Sequence, residues 1–180
     1  KIKDEDAFFL AWTTTPWTLL SNVALAVHPD ERYIKIRYNG QTVILAEARA
    51  AVILKGQEYE LLDGFAGKEL ENKEYEPLFT YAEPDKKAWY VVCADFVTMD
   101  DGTGIVHIAP AFGEDDYNIG VKYDLPVVQL VKLDGTFKDE VARWKGEFVK
   151  DADPKIIKYL QDIGVLEGIK DYEHEYPFCW

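Results

Sequence analysis

Two stretches of the chain gather residue types able to handle a small polar substrate. WTTTPWT, residues 12–18, sets three threonines and a proline between two tryptophans and a fourth threonine after them, and GTGIVHIAPAFGEDD, residues 102–116, runs through a histidine to three consecutive acids. Hydroxyls at a proline-ended strand, with backbone N–H groups beside them, can hold a carboxyl-derived group and position a water. A carboxylate in the first turn of a helix can bind a cation such as an ammonium group through a charge-assisted hydrogen bond. Each feature also has a structural explanation. Threonine suits strands, proline ends them, a lone strand histidine is ordinarily core, and acids at a helix start complement its dipole. Type and spacing alone stop at a small polar site in a mixed domain.

Other chemistry finds no support. Neither GxGxxG, GxxxxGK[ST] nor GxSxG occurs. His28, His107 and His174 stand far apart with no cysteine or histidine at metal spacing, so no zinc site is expected within the chain. Cys93 and Cys179 read as reduced thiols, one bridge between them staying open. Thirty-three acids against twenty bases give a formal charge of −13, which repels a phosphate backbone. A short single-stranded end can still be held locally if another domain supplies most of the binding. No apolar run approaches the ~18 residues of a membrane span, and KIKDEDAFF lacks the order of a secretory signal. A soluble, cytoplasmic chain without membrane contact is expected.

The elements that must position these residues read as follows. Residues 7–15 form a buried strand ended by Pro16, and PWTLLSN adds one helical turn. Residues 23–27, 33–38 and 42–46 read as strands, the last two joined by an Asn39-Gly40 hairpin turn. Residues 47–54 suggest a short helix, 59–65 a strand, and 68–87 an irregular connection. Further strands are expected at 88–97, 104–109 and 127–131, with helices over 113–125 and from an Asp153 N-cap with Pro154 at the first position. Strands follow strands more often than helices, which favours a single α+β domain with a barrel-like core over a doubly wound sheet.

WTTTPWTLLSN (12–22) and DGTGIVHIAPAFGEDDYNIG (101–120) resemble the two signature motifs of the editing domain of isoleucyl-tRNA synthetase, a class I aminoacyl-tRNA synthetase, and YPFCW (176–180) resembles the segment where that domain rejoins the catalytic body. The resemblance spans nearly the whole chain in order. Thr15 stands where the valine and leucine enzymes usually carry arginine, and Leu20 where many relatives have proline.

The resemblance implies a distorted β-barrel flanked by helices, residues 1–180 forming one editing domain of a larger synthetase. It implies hydrolysis of valine wrongly esterified to the isoleucine tRNA, with valyl-adenylate as a second substrate. One missing methylene gives only about 1–3 kcal/mol of discrimination, a limit for which the isoleucine enzyme is itself the standard illustration, so a second sieve is needed. By the same resemblance Asp116 binds the substrate ammonium with Asp115 as its neighbour, and His107 and Thr18 border the side-chain pocket. Thr13, Thr14 and Thr15 contact the terminal adenosine and the ester, Asn22 lies beside them, and Trp12 is pocket wall. The attacking water acts without a covalent enzyme intermediate, His107 as general base being the competing role. No cofactor is implied in this domain, ATP and a structural zinc belonging to the parent enzyme. The implied partners are the tRNA 3′ CCA end and the rest of the synthetase, with the domain a monomer. A domain for another cognate tRNA, or a non-catalytic module binding the tRNA end, are the alternatives.

Overall fold

Asn39 and Gly40 both take the left-handed conformation, φ 47° and 79°. They close a tight hairpin between β3 (Arg32–Tyr38) and β4 (Gln41–Ala46), as their identity predicts. A computed structural model describes residues 1–170 of the chain. Around this hairpin a four-stranded sheet runs in the order β1-β4-β3-β5, with β1 (Phe8–Phe9) parallel to β4 and β5 (Glu60–Ala66) antiparallel to β3. A three-stranded sheet places β2 (Ala24–Val27) between a parallel β6 (Tyr90–Cys93) and an antiparallel β7 (Ile105–Ile108).

The side-chain alternation of these strands divides the interior. Leu25, Val27 and Val91 of one sheet pack with Tyr33, Ile44 and Ala46 of the other. The intervening residues Ile34, Ile36 and Leu45 face α1 (Glu47–Ile53), while Ala24, Val92 and Ile108 face α2 (Glu114–Lys122). Both faces of each sheet are thus covered, and all four residues of β2 are buried. A fourth cluster lies outside the sheets, where Phe137, Trp144, Ile156 and Leu160 gather around α3 (Val149–Asp162). Gly164, at φ 71°, ends that helix, and the Val165 amide bonds Leu160 O across the turn.

The mixed α+β class is as expected, but the barrel does not close. The segment after β1 crosses between the sheets, Leu10 N donating to Ile44 O and Trp12 N to Ile105 O, and joins them along one side only. On the other side β5 leads into a 3-10 helix, Gly67–Leu70, whose first amides bond Glu31 O and Pro29 O and turn the chain away. Residues 73–75 then pair with β6 instead of returning to β5, and two open sheets result.

Three local expectations change. The buried strand expected over 7–15 is reduced to the half-buried pair Phe8–Phe9, and residues 13–15 turn away because Thr13 Oγ1 accepts the Thr15 amide at 3.0 Å and replaces a ladder bond with a local turn. Residues 127–131 form no strand beyond one bridge from Val131 to Phe137, and Val127 is exposed. Helix α3 starts at Val149, five residues before Pro154, so Asp153 is not its cap. Pro154 inside the helix lacks the amide for one bond to an early carbonyl, and its ring crowds that same carbonyl. The segment 176–180, with Cys179, and His174 lie outside the described residues.

The loop before β7 is held from α1. Arg49 donates to Gly102 O, Met99 O and Asp100 O at 2.9–3.0 Å. Gly102 has φ 62°, and a Cβ there would come 2.7 Å from the Trp12 ring. Gly102→Ala is therefore expected to destabilise the protein by about 1–3 kcal/mol, through positive φ and the displaced indole together, read as a lowered Tm.

Candidate active site

Four consecutive residues at the end of β7 form the axis on which the candidate residues converge. Val106 pairs with Trp12 in a parallel bridge. His107 Nε2 lies 3.0 Å from Thr18 Oγ1. Ile108 O accepts from Asn22 Nδ2 at 3.4 Å, and the Ala109 amide donates to Asp116 Oδ2 at 2.8 Å. Residues separated by almost a hundred positions are thereby brought to one strand end.

The threonines are joined by local geometry. Pro16 starts a 3-10 helix, Pro16–Ser21, which brings Thr18 back over Thr15. Thr18 Oγ1 donates to Thr15 O at 2.8 Å, a contact that must carry the Thr18 proton because a carbonyl cannot donate. The Thr15 hydroxyl, 3.0 Å away, then donates to Thr18 Oγ1, and Thr13 Oγ1 lies 3.5 Å from Thr15 Oγ1. With its proton committed, Thr18 can only accept from His107. The imidazole proton therefore sits on Nε2 and Nδ1 carries the lone pair.

His107 is 7% exposed, and Nδ1 has no hydrogen-bond partner among the described residues. Burial lowers its pKa from 6.5 to about 4, so the ring is neutral at pH 7. The unfolded chain takes up this proton first as pH falls. The neutral ring's stabilising advantage is thus full above pH 6.5 and lost as pH drops towards 4. The unfolding free energy of the unsubstituted chain is expected to fall more steeply over that window than that of His107→Gln, the difference reaching about 3 kcal/mol, read by denaturant titration at each pH.

Asp116 is the third residue of α2, following Gly113 as N-cap. Its carboxylate turns back to the strand instead of out to solvent. Burial raises its pKa, the Ala109 amide partly opposes this, and Asp115 adds a smaller raising effect. Oδ1 has no hydrogen-bond partner among the described residues. A half-buried carboxylate with one free oxygen is suited to receive a cation.

The other candidates divide. Trp12 lies against Gly102 and bridges to Val106. Thr14 is half-buried, and its hydroxyl makes no hydrogen bond among the described residues. Asp115 is exposed on α2, away from the carboxylate's contact with Ala109. Asn22 is already engaged: Nδ2 donates to Ala24 O at 2.7 Å, and Oδ1 accepts from Tyr75 at 2.6 Å.

Three further residues belong to the surroundings. The Trp17 ring meets Phe112 edge-on at 4.8 Å, tying the 3-10 helix to the loop before Asp116. The Trp17 amide donates to Asp153 Oδ1 at 2.9 Å. Trp17 and Phe112 fall within the two motifs; the Trp17 indole Nε1 is buried with no hydrogen-bond partner among the described residues, and Phe112 is wholly apolar. Asp153 lies 136 positions from its partner, and no local pattern announces it.

Comparison with known proteins bears on the family and the fold. The family described as leucyl-tRNA synthetase, editing domain, matches residues 66–156. The chain is 55% identical over 181 residues to isoleucine-tRNA ligase of Clostridium acetobutylicum and 52% identical to that of Clostridium novyi, each alignment covering 100% of this chain. It spans 17% of the length of these relatives. The backbone is similar to the crystal structure of GlLeuRS-CP1, with a TM-score of 0.72 at 18% identity over 95% of this chain and 87% of that one. It is also similar to the cytosolic leucyl-tRNA synthetase editing domain of P. falciparum, with a TM-score of 0.68 at 14% identity over 89% and 78%. A chain that follows isoleucine-tRNA ligases in sequence and leucyl-tRNA synthetase editing domains in backbone belongs to the aminoacyl-tRNA synthetase editing-domain family.

Proposed function

We propose that the chain proofreads by hydrolysis, releasing valine from valyl-tRNA made on the isoleucine tRNA and sparing isoleucyl-tRNA. The observation that carries this reading is the convergence of Thr18, His107 and Asp116 on one strand end. Asp116 Oδ1 receives the substrate ammonium, and the added positive charge offsets the burial that disfavours the ionised carboxylate. Thr13, Thr14 and Thr15, with the backbone of their turn, lie against the ester and the terminal adenosine. The oxygen of a held water attacks the ester carbonyl carbon. The bond to the ribose oxygen breaks, the ribose oxygen takes up one of the water's protons, the other passes to solvent, and valine leaves as its carboxylate.

His107 acts by shape. A neutral ring with a pKa near 4 is a weak base at pH 7, and its Nε2 proton is committed to Thr18. Held in place, His107 and Thr18 leave room for valine and clash with one more methylene. Valyl-adenylate offers the same ammonium and an activated carboxyl carbon, and is a second substrate of the same site. The tRNA 3′ CCA end carries the ester to the pocket. With a charge of −13 the domain draws little on backbone attraction, so the rest of the parent enzyme supplies most of the affinity for tRNA.

The test compares valyl-tRNA and isoleucyl-tRNA prepared on the same isoleucine tRNA, following loss of each amino acid. Selective valine release is expected. Equal release of both, or binding of a non-hydrolysable valyl-adenosine analogue with no turnover in the full synthetase, would overturn the reading.

A further inference from the structure

The 3-10 helix Pro16–Ser21 carries Thr18 into the site, yet its own N-cap does not cap it. Thr15 makes no side-chain bond to the helix backbone, because its hydroxyl is turned to Thr18 Oγ1 at 3.0 Å. The first amides of a helix have no partner inside it, and Pro16 has none to offer, so the first orphan belongs to Trp17. Asp153 of α3 fills the vacancy, its Oδ1 accepting the Trp17 amide at 2.9 Å.

The placement is locally unfavourable. Aspartate is a poor residue for a helix interior, proline follows it, and the side chain is only 17% exposed, with its other oxygen 3.7 Å from Lys150 Nζ. Burial raises its pKa, and the Trp17 amide opposes the shift. Local conflicts of this kind concentrate where function demands them. Here the result is that Thr15 is spared a capping role.

We propose that Asp153 is a positioning residue of the hydrolytic site: by capping the 3-10 helix from α3, it leaves the Thr15 hydroxyl to Thr18 and sets where Thr18 meets His107. Its effect on turnover rests on the proofreading reading, while its effect on the Thr18–His107 contact does not. Without Asp153, the Thr15 hydroxyl is the nearest group able to turn back and cap Trp17, and doing so takes it off Thr18.

The test uses Asp153→Ala and Asp153→Asn with three readouts: valine release, exchange of the Trp17 amide, and the NMR signal of the His107 ring N–H. Asp153→Ala should lower kcat for valine release about tenfold or more with KM within about threefold, the loss typical of a hydrogen bond to a charged group. The same variant should speed Trp17 exchange and move the His107 signal. Asp153→Asn keeps an acceptor oxygen and should restore all three. An unmoved His107 signal in Asp153→Ala, or an Asn variant as impaired as the Ala variant, overturns the proposal. If Asp153→Ala does not fold, Asp153→Glu, which displaces the carboxylate by one methylene, is held to the same readouts. A full synthetase with unaltered Asp153 that releases no valine sinks the proofreading reading, and the NMR signal and amide exchange still decide the role of Asp153.

Discussion

Asp116→Asn is expected to lose ten- to a hundredfold in kcat/KM for valine release while its Tm stays close to the parent's. The asparagine carbonyl can still accept the Ala109 amide, which Asp116 Oδ2 holds at 2.8 Å, so the loop between β7 and α2 keeps its anchor. What disappears is the charge facing the ammonium, and a charge-assisted hydrogen bond of that kind is worth about 1.5–3 kcal/mol. Asp116→Ala removes both functions and leaves a buried amide unpaired, at a further cost of about 1–3 kcal/mol in stability. Comparing the two variants separates the binding role from the structural one. Burial raises the Asp116 pKa in the free protein. Valine release at low substrate should therefore fall on the acid side at a higher pH than an ordinary aspartate would give. Unchanged release by Asp116→Asn would take Asp116 out of the substrate site and leave it as a loop anchor.

The sequence makes the fold legible wherever local signals and burial agree. Asn39-Gly40 fixes a hairpin because both residues tolerate positive φ, and residues 47–54, Ala-rich with little turn chemistry, form α1 much as expected. It misleads where a side chain competes with the backbone. Thr13 to Thr15 have strand propensity, but Thr13 Oγ1 captures the Thr15 amide and Pro16 forbids the next ladder bond, so propensity loses to a turn. Asp153-Pro154 has the form of a helix start, yet Phe148 already takes the extended cap conformation and the Asp153 carboxylate is used by Trp17. The site divides the same way. Its two motifs are visible as quoted segments, while the convergence of Trp12, Thr18, Asn22 and Asp116 on residues 106–109 depends on β7 pairing with β2 and on the chain crossing between sheets after β1. Closure into a barrel was beyond any local signal. It depends on whether β5 finds residues 73–75, and the 3-10 helix at Gly67 decides that it does not.

Shrinking the wall formed by His107 and Thr18 should turn the proposed sieve from selective to permissive. Both side chains are buried, at 7% and 5% exposure, and each holds the other through the 3.0 Å contact. His107→Ala removes the ring outright, and Thr18→Ala removes the hydroxyl that fixes the ring and leaves its Nε2 proton unpaired. Isoleucine release should rise about tenfold or more relative to valine release in either variant, within the ten- to two-hundredfold that one methylene is worth to a pocket. Thr18→Val provides the control, because it keeps the branched shape and loses only the hydroxyl. If exclusion is steric, Thr18→Val keeps rejecting isoleucine and shows its defect in stability, from the unpaired imidazole N–H, by about 1–3 kcal/mol. If exclusion depends on the hydrogen bond fixing the ring, Thr18→Val leaks isoleucine as freely as Thr18→Ala does. Should both alanine variants still reject isoleucine as well as the parent, the limiting wall lies elsewhere, and His107 is a buried core residue whose only measurable duty is the stability it loses in acid.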